Sequence, residues 1–397
     1  MNDQLMRELG ERFARADRKL FLVGGSVRDL LLAKTPKDFD FTTDALPKEI
    51  QGILRDWADA VWDVGARFGT IAAQKDGFEI EITTMRHDGP GRKPEVVFTD
   101  DIIEDLVRRD FTINAMAMQV DAEGLHQGVS DVIDPFNGRT DLFLDLLKTP
   151  AEPWKTFTED PLRMMRAARF AAQLDFKVGD TESLSILSNR ELIKSVSAER
   201  IAAELDKIVA AQHSFKGWSA LLHSRILEII LPEFIGAPVA WVASTDINVR
   251  WADTLITAGV KPDQVPAIGK RLKWSNERRQ SVTNLVTWVE RFALVQDWSW
   301  TEVRRVVAAA GPQLDGLLAL LDDDILKGRV ETLLATEGHP KPLLTGKEIL
   351  LALGVKPGPV VGRAQQFLWD VRLREGNISK HHAALLLKDW AADKVIV

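Results

Sequence analysis

Leu20-Phe21-Leu22-Val23-Gly24-Gly25-Ser26-Val27-Arg28-Asp29 is the stretch on which the fold turns. Four apolar residues in a row read as a short buried strand, two glycines end it, and a helical pattern restarts after them. Ser26 is placed to cap that helix, with Asp29 three positions on as the acidic partner of a capping box. The paired glycines let backbone come close to a ligand, and the helix start offers unpaired N–H groups. Arg28 on the first turn adds a guanidinium suited to phosphate oxygens. Alone, Gly24-Gly25 is no more than a tight turn, and the chain contains no GxxxxGK[ST] phosphate loop.

Upstream, Leu5, Leu9 and Phe13 share one face of a helix. Downstream, Lys37-Asp38-Phe39-Asp40-Phe41-Thr42 alternates polar and apolar residues. On a strand this sends Asp38 and Asp40 to one face and the two phenylalanines to the core. Neighbouring carboxylates repel, so they are either solvated at an edge or share a divalent cation; Mg²⁺ typically takes one or two carboxylates plus substrate phosphates. The run Phe78-Glu79-Ile80-Glu81-Ile82-Thr83 alternates in the same way. If it neighbours the Asp38/Asp40 strand, one of its glutamates completes a trio of acids, a cluster suited to two-metal phosphoryl or nucleotidyl transfer. A further extended run is expected over residues 114–120. Arg108-Arg109-Asp110 reads as an ion-paired turn or a ligand contact, and Asp134-Pro135-Phe136-Asn137-Gly138 as a turn closing the domain.

From about residue 141 helical spacing dominates. Leu162, Met165, Arg166 and Arg169 open one helix, and Ile201, Leu205, Ile208 and Val209 mark another. Pro232 and Gly236-Ala237-Pro238 signal a break near 235. The expected fold class is α+β: a small mixed-sheet head (1–140), then an all-α neck (141–235) and an all-α body and tail (236–397). In the neck, Glu159-Asp160-Pro161-Leu162-Arg163 leads into Arg166 and Arg169. Asp160 is placed as a cap ahead of Pro161. Arginines at every third position share a slowly rotating face, without acidic partners four residues further on. A carboxylate beside a guanidinium can address the edge of a nucleobase, and further arginines can hold a triphosphate.

Composition bounds the rest. The chain has 397 residues, 45% hydrophobic and 27% charged, enough for a large core and unlike a disordered chain. No apolar run is long enough to span a membrane, and Met1-Asn2-Asp3-Gln4 does not open a signal peptide, so a cytoplasmic setting is expected. The absence of Cys excludes thiolate chemistry and disulfides. Tyr is absent too, against 12 Trp, which reads as a reduced alphabet with Trp or Phe in tyrosine positions. The tryptophans share no period, and most are expected to pack in cores or interfaces. A net charge of −7 argues against indiscriminate nucleic-acid binding but leaves room for a local basic groove.

Taken in order, these motifs resemble the class II CCA-adding nucleotidyltransferases and bacterial poly(A) polymerases. The resemblance rests on residues 24–29, Asp38-Phe39-Asp40, Glu81-Ile82-Thr83-Thr84-Met85-Arg86, residues 108–116, 134–138 and 159–170, and Ser197-Ala198-Glu199-Arg200-Ile201 with Glu204-Leu205. Leu344-Thr345-Gly346-Lys347-Glu348 through Pro357-Gly358-Pro359 is similar to the family's C-terminal region. The resemblance implies Asp38 and Asp40 as Mg²⁺ ligands and Glu81 as a third catalytic carboxylate. It implies triphosphate contacts from the Gly24-Gly25 turn and Arg28, and nucleotide and ribose contacts from Arg109 and Asp110. Asp160 and Arg163 would read the incoming base, with Arg166 and Arg169 at further nucleotide-binding positions. The implied reaction is attack of a tRNA 3′-hydroxyl on the α-phosphate of CTP or ATP.

The segment 86–96 corresponds to a flexible loop of the family and is somewhat short, a feature associated with CC-adding enzymes. A poly(A) polymerase or a non-catalytic RNA-binding descendant would share much of the pattern. A DxD glycosyltransferase would not carry the arginine helix. His87-Asp88 lacks the earlier histidine of a metal-dependent phosphohydrolase, and His381-His382 lacks an acidic neighbour at ligand spacing. Lys270, Arg271, Lys273, Arg278 and Arg279 are candidate contacts to tRNA phosphates.

Overall fold

The computed structural model describes residues 3–36, 38–63, 65, 69–88, 96–126, 128–239 and 242–393. Lys37 and the 89–95 part of the expected loop lie outside the described residues. Helix α1 (Asp3–Arg15) buries Leu5, Leu9 and Phe13, as their spacing predicts. β1 (Leu20–Val23) is buried throughout and runs straight into α2 (Gly25–Leu31). Then follow β2 (Phe39–Thr43), α3 (Pro47–Leu54), β3 (Ala60–Trp62), β4 (Thr70–Lys75) and β5 (Phe78–Thr84). A hairpin of β6 (Arg86–Asp88) and β7 (Val96–Phe98) leads to α4 (Ile102–Val107). Next come β8 (Ala117–Asp121), β9 (Gly124–Leu125), β10 (Val132–Ile133) and α5 (Gly138–Phe143).

Among the described residues the main sheet runs β10-β8-β1-β2-β5-β4-β3, with β9 beside β8. β1 is antiparallel to β2 and β8, whereas β2 and β5 are parallel, so the sheet is mixed. The β2/β5 register sets Asp40 opposite Glu81, Phe39 opposite Ile80 and Phe41 opposite Ile82. The four apolar residues are buried, each contributing roughly 1.5–3 kcal/mol over exposure. A one-residue slip would turn them to solvent, so this burial is what holds Asp40 and Glu81 side by side.

Two local expectations are corrected. Ser26 does not cap α2, whose N-cap is Gly24 without a side-chain bond. Its Oγ instead donates to the Asp38 carbonyl at 3.0 Å and accepts from the Asp40 amide at 3.2 Å, pinning the start of β2. The extended run begins at Ala117 rather than 114, because Thr112–Asn114 curls into a 3₁₀ turn. That turn places the Asn114 amide against Asp110 and Arg28. The 134–138 segment does turn: Asp134 Oδ1 and Oδ2 accept from the amides of Gly138 and Arg139 at the start of α5. A Cβ at Gly138 would lie 2.3 Å from the Thr112 carbonyl, so only glycine fits.

Helices follow, apart from β11 (Leu146–Leu147), which pairs in parallel with a short strand some thirty residues on, at Lys177–Val178. They are α6 (Pro153–Glu159), α7 (Leu162–Leu174), that strand β12 (Lys177–Val178), α8 (Asp180–Asn189), α9 (Ala198–Ala210), α10 (Ser214–His223) and α11 (Leu227–Ile230). α7 lies against α9 and α10 and buries Met164, Met165, Ala168 and Ala172. The chain separates into two compact units, Met1–Pro232 and Glu233–Val397. The second unit is helical, from α12 (Ile247–Thr257), α13 (Val265–Arg271) and α14 (Asn276–Phe292) through to a last helix at Lys380–Asp393.

Trp218, Trp251, Trp274 and Trp298 are buried, while Trp62, Trp154 and Trp300 are exposed. Of the five cations clustered around residue 275, three are tied into the second unit. Arg271 donates to both Glu233 carboxylate oxygens, Arg278 lies 4.9 Å over the Trp274 ring, and Arg279 donates to Asn276 Oδ1. Lys270 and Lys273 are exposed. Among the described residues no helix is long and apolar enough to cross a membrane.

Candidate active site

The floor of the site is the carboxylate face of β2 and β5. Asp40 and Glu81 leave the same face of adjacent strands, and Asp38 precedes them at the mouth of β2. Burial pushes the Asp40 carboxyl above the usual aspartate range, and the charge of Asp38 adds to the rise against the opposing pull of Arg109. Glu81 is likewise raised, by burial first and then by Asp40, Asp38 and Glu79. The fold therefore gathers negative charge at a cost, as a cation site does.

Gly24 forms the adjacent wall. Its φ of 71° and ψ of −137° suit glycine alone. A Cβ there would lie 3.1 Å from Arg109 Nη1 and 3.6 Å from Asp40 Oδ2. Arg28 is held by Asp29, at 2.7 Å from Nη2, and donates from Nη1 to Asn114 Oδ1 at 2.8 Å.

An arginine array lines the same cavity. Arg109 Nη2 donates to Asp105 Oδ2 at 3.1 Å, and Arg108 donates twice to Asp105 Oδ1. Asp105 has a side-chain exposure of 0%. Burial by itself would raise its carboxyl, yet Arg109 and Arg108 hold it below the usual range. Asp110 is also buried and also held low, here against burial by Arg166 and Asn114. Its Oδ1 accepts from the Phe111 amide and Asn114 Nδ2, and its Oδ2 from Arg166 Nε and Nη2. These bonds occupy the lone pairs of the carboxylate, so contact with a ribose requires one of them to open.

Two of the α7 arginines have tertiary acid partners that local spacing does not reveal. Arg166 pairs with Asp110, and Arg169 Nε lies 3.2 Å from Glu204 Oε2. Arg163 reaches the carbonyls of Arg108 and Thr156 and sits 3.9 Å from Glu159. Asp160 Oδ1 accepts from the Leu162 amide, the cap its position before Pro161 predicts, and Oδ2 lies 3.3 Å from Arg200 Nη2.

These groups line one polar cavity of about 960 Å³. Gly24, Gly25, Arg28, Asp38, Asp40, Glu81, Arg109, Asp110, Asp160, Arg163, Arg166 and Arg169 all face it. Sequence reasoning passed over Asp105, and quoted Asn114, Phe170 and Glu204 within motifs without giving them a role. Asp105 carried a signal, since it precedes Arg108 and Arg109 by three and four residues at a helix end. Among the described residues no three His, Cys, Asp or Glu side chains form a ready-made metal cage. A hard divalent cation that keeps its waters and shares substrate phosphates needs only one or two carboxylates, and the Asp38/Asp40 pair supplies that donor set.

Comparison with known proteins shows the same architecture. Residues 20–148 match the family described as "Poly A polymerase head domain", and residues 175–236 the one described as "Probable RNA and SrmB- binding site of polymerase A". Head and site together thus define a nucleotidyltransferase. The curated CCA-adding enzyme of Lactobacillus gasseri is 32% identical over 391 residues, 94% of each chain. That of Lactobacillus johnsonii is 31% identical, over 96% of this chain and 94% of the relative. The crystal structure of the Bacillus stearothermophilus CCA-adding enzyme in complex with CTP superposes with a TM-score of 0.80 over 99% of both chains, at 25% identity. The Thermotoga maritima CCA-adding enzyme complexed with tRNA shares the fold, with a TM-score of 0.66 over 97% of this chain and 94% of that one, at 20% identity. The chain belongs to the family of CCA-adding enzymes.

Proposed function

We infer that this chain adds C and A to the 3′ end of tRNA without a template, from CTP and ATP, with release of pyrophosphate. The observation that carries the reading is that one polar cavity is lined by Asp38, Asp40 and Glu81 together with Asp160 and the α7 arginines. Asp38 and Asp40 are the residues to hold Mg²⁺. Such an ion, when bound, acidifies the attacking hydroxyl and offsets charge on the leaving group. The protein's own groups bind and orient. The Gly24-Gly25 turn brings backbone close, and Arg28 and Arg109 offer donors to the triphosphate. Glu81 adds a third carboxylate beside Asp40 for the proton of the attacking hydroxyl. We place the reaction in the cytoplasm on the ground of its tRNA substrate.

Base choice follows from donor and acceptor order. C and A both present an amino donor beside a ring-nitrogen acceptor on the Watson–Crick edge, whereas U and G present a carbonyl beside an N–H. Asp160 has lone pairs left after its bonds to Leu162 and Arg200 and can accept from the amino group. Arg163 uses two of its five donors on carbonyls and can give another to the ring nitrogen. Asp160→Ala or Arg163→Ala should therefore blur selection, raising UTP and GTP incorporation relative to CTP and ATP by roughly 5- to 150-fold, as loss of about 1–3 kcal/mol of discrimination dictates. Competitive incorporation on tRNA lacking CCA measures the ratio.

The activity itself is tested by incubating the protein with tRNA lacking CCA or only the final A, together with CTP and ATP, and sequencing the ends. Restored CCA termini are expected. Long A tracts on generic RNA, or no incorporation, would overturn the reading. We assign Lys270 and Lys273 to tRNA phosphates. Replacing both by Ala should lower the slope of log affinity against log salt by about 2, near one unit for each phosphate that is no longer neutralised. Filter binding across a salt series measures it, and an unchanged slope places the RNA backbone elsewhere.

A further inference from the structure

Phe170 sits on α7, 6% exposed, with one edge of its environment open to the active-site cavity. Three guanidinium groups surround its ring. The Cζ atoms of Arg28, Arg166 and Arg169 lie 5.5, 5.4 and 4.1 Å from the ring centroid. Arg28 comes from α2, the other two from α7. Phe111 packs edge-on against the same ring, at 5.7 Å and 85°. Each arginine has a carboxylate partner of its own, Asp29, Asp110 and Glu204 respectively. The centre the three cations share is the aromatic ring.

Like charges crowded into a partly dry pocket repel one another. Arg169 shows it: its pKa is lowered to about 10, first by burial and next by Arg166, with Arg28 adding to the effect. An aromatic face carries negative quadrupolar charge and attracts a cation within about 6 Å. A ring among three guanidiniums stabilises the array before any anion arrives. A leucine of similar bulk would fill the space without the field.

We propose that Phe170 is a positioning residue: its ring gathers Arg28, Arg166 and Arg169 into a preassembled receptor for the nucleoside triphosphate. The proposal rests on the nucleotidyl-transfer reading above. It adds a role that no acid or base at the site can perform, since a carboxylate in the ring's place would compete with the triphosphate for the same donors. Preassembly lowers the ordering cost of binding. The effect therefore falls on affinity for CTP and ATP alike, because the three arginines meet the ligand whichever base it carries, and leaves kcat nearly unchanged.

The test is calorimetric binding of CTP and of ATP, with Mg²⁺ present, beside steady-state kinetics on tRNA lacking CCA. The variants are Phe170→Leu, Phe170→Tyr, and position 170 carrying 3,4,5-trifluorophenylalanine, which keeps the ring's shape and drains its negative face. Phe170→Leu is expected to weaken both nucleotides about tenfold, equivalent to about 1.4 kcal/mol. The trifluoro variant should show a loss of the same order while still folding, and Phe170→Tyr should bind within about twofold of the parent. If Phe170→Leu fails to fold, the trifluoro variant still decides. Parent-like affinity in the trifluoro variant would overturn the positioning role alone. Failure of the parent protein to bind either nucleotide would overturn the nucleotidyl-transfer reading and this proposal with it.

Discussion

Asp40→Ala is expected to abolish incorporation of both CTP and ATP, by at least about a thousandfold in kcat/KM, while tRNA affinity stays nearly unchanged. The magnitude follows from position. Asp40 is the carboxylate that burial of Phe39 and Phe41 locks in register with Glu81, and whose backbone amide Ser26 pins. A metal ligand at a charge-developing centre is worth several kcal/mol, and each 1.36 kcal/mol is a factor of ten. The substitution should not loosen the fold. The Asp40 carboxyl is raised above its ordinary range, so its ionised form costs the folded state stability at every pH above the unfolded value. Removing the charge relieves that cost, and the melting temperature should hold or rise. An inactive, equally stable variant that still binds tRNA separates chemistry from folding. Single-turnover incorporation, filter binding and a thermal melt suffice. Near-normal turnover would remove Asp40 from the cation site.

Asp105→Ala should do the opposite and strike the fold first. Its side chain is fully buried and accepts from Arg108, from Arg109 and from the Arg86 amide at the foot of the β6/β7 hairpin. Deleting one partner of a buried ion pair leaves uncompensated charge and costs about 3–5 kcal/mol. In a unit of this size that lowers the melting temperature by roughly 6–20 °C. Turnover should fall as well, because Asp105 holds Arg109 next to Gly24 and Asp40. The pH dependence has a definite sign. The folded-state pKa of Asp105 is depressed, so its contribution is present above the unfolded value near 3.9 and is lost as pH falls through that value towards the folded one. Below about pH 4 the parent and Asp105→Asn melting curves should converge. An unchanged melting temperature for Asp105→Ala would mean that the arginines find other partners.

The two acids illustrate how differently the site could be read in advance. Asp40 stood out because the alternation of Asp38-Phe39-Asp40-Phe41 can be read from four letters. Asp105 did not, although its spacing to Arg108 and Arg109 is a helix-face spacing, because nothing local says that all three are buried. The arginines of α7 were legible as a periodic face. Their restraint by Asp110, 56 residues before Arg166, and by Glu204 was not. Ser26 was misjudged for the same reason: a hydroxyl at a helix start has two possible partners, and the tertiary contact with β2 outcompeted the cap.

The amino-acid order alone determined the strand–glycine–helix opening, the two alternating acidic strands, the arginine-bearing helix and the passage from a sheet-containing head to helices. Each of these is a property of a few consecutive residues, since backbone geometry repeats every two or 3.6 positions. Tertiary structure decided the rest. Alternation alone left Glu79 and Glu81 open; the parallel pairing of β2 with β5 sets Glu81 beside Asp40, the glutamate that the resemblance implied. Long-range packing gave Arg166 and Arg169 their acids and set Phe170 among these two and Arg28. Such pairings depend on which apolar faces are buried against which, and burial is a property of the whole folded chain.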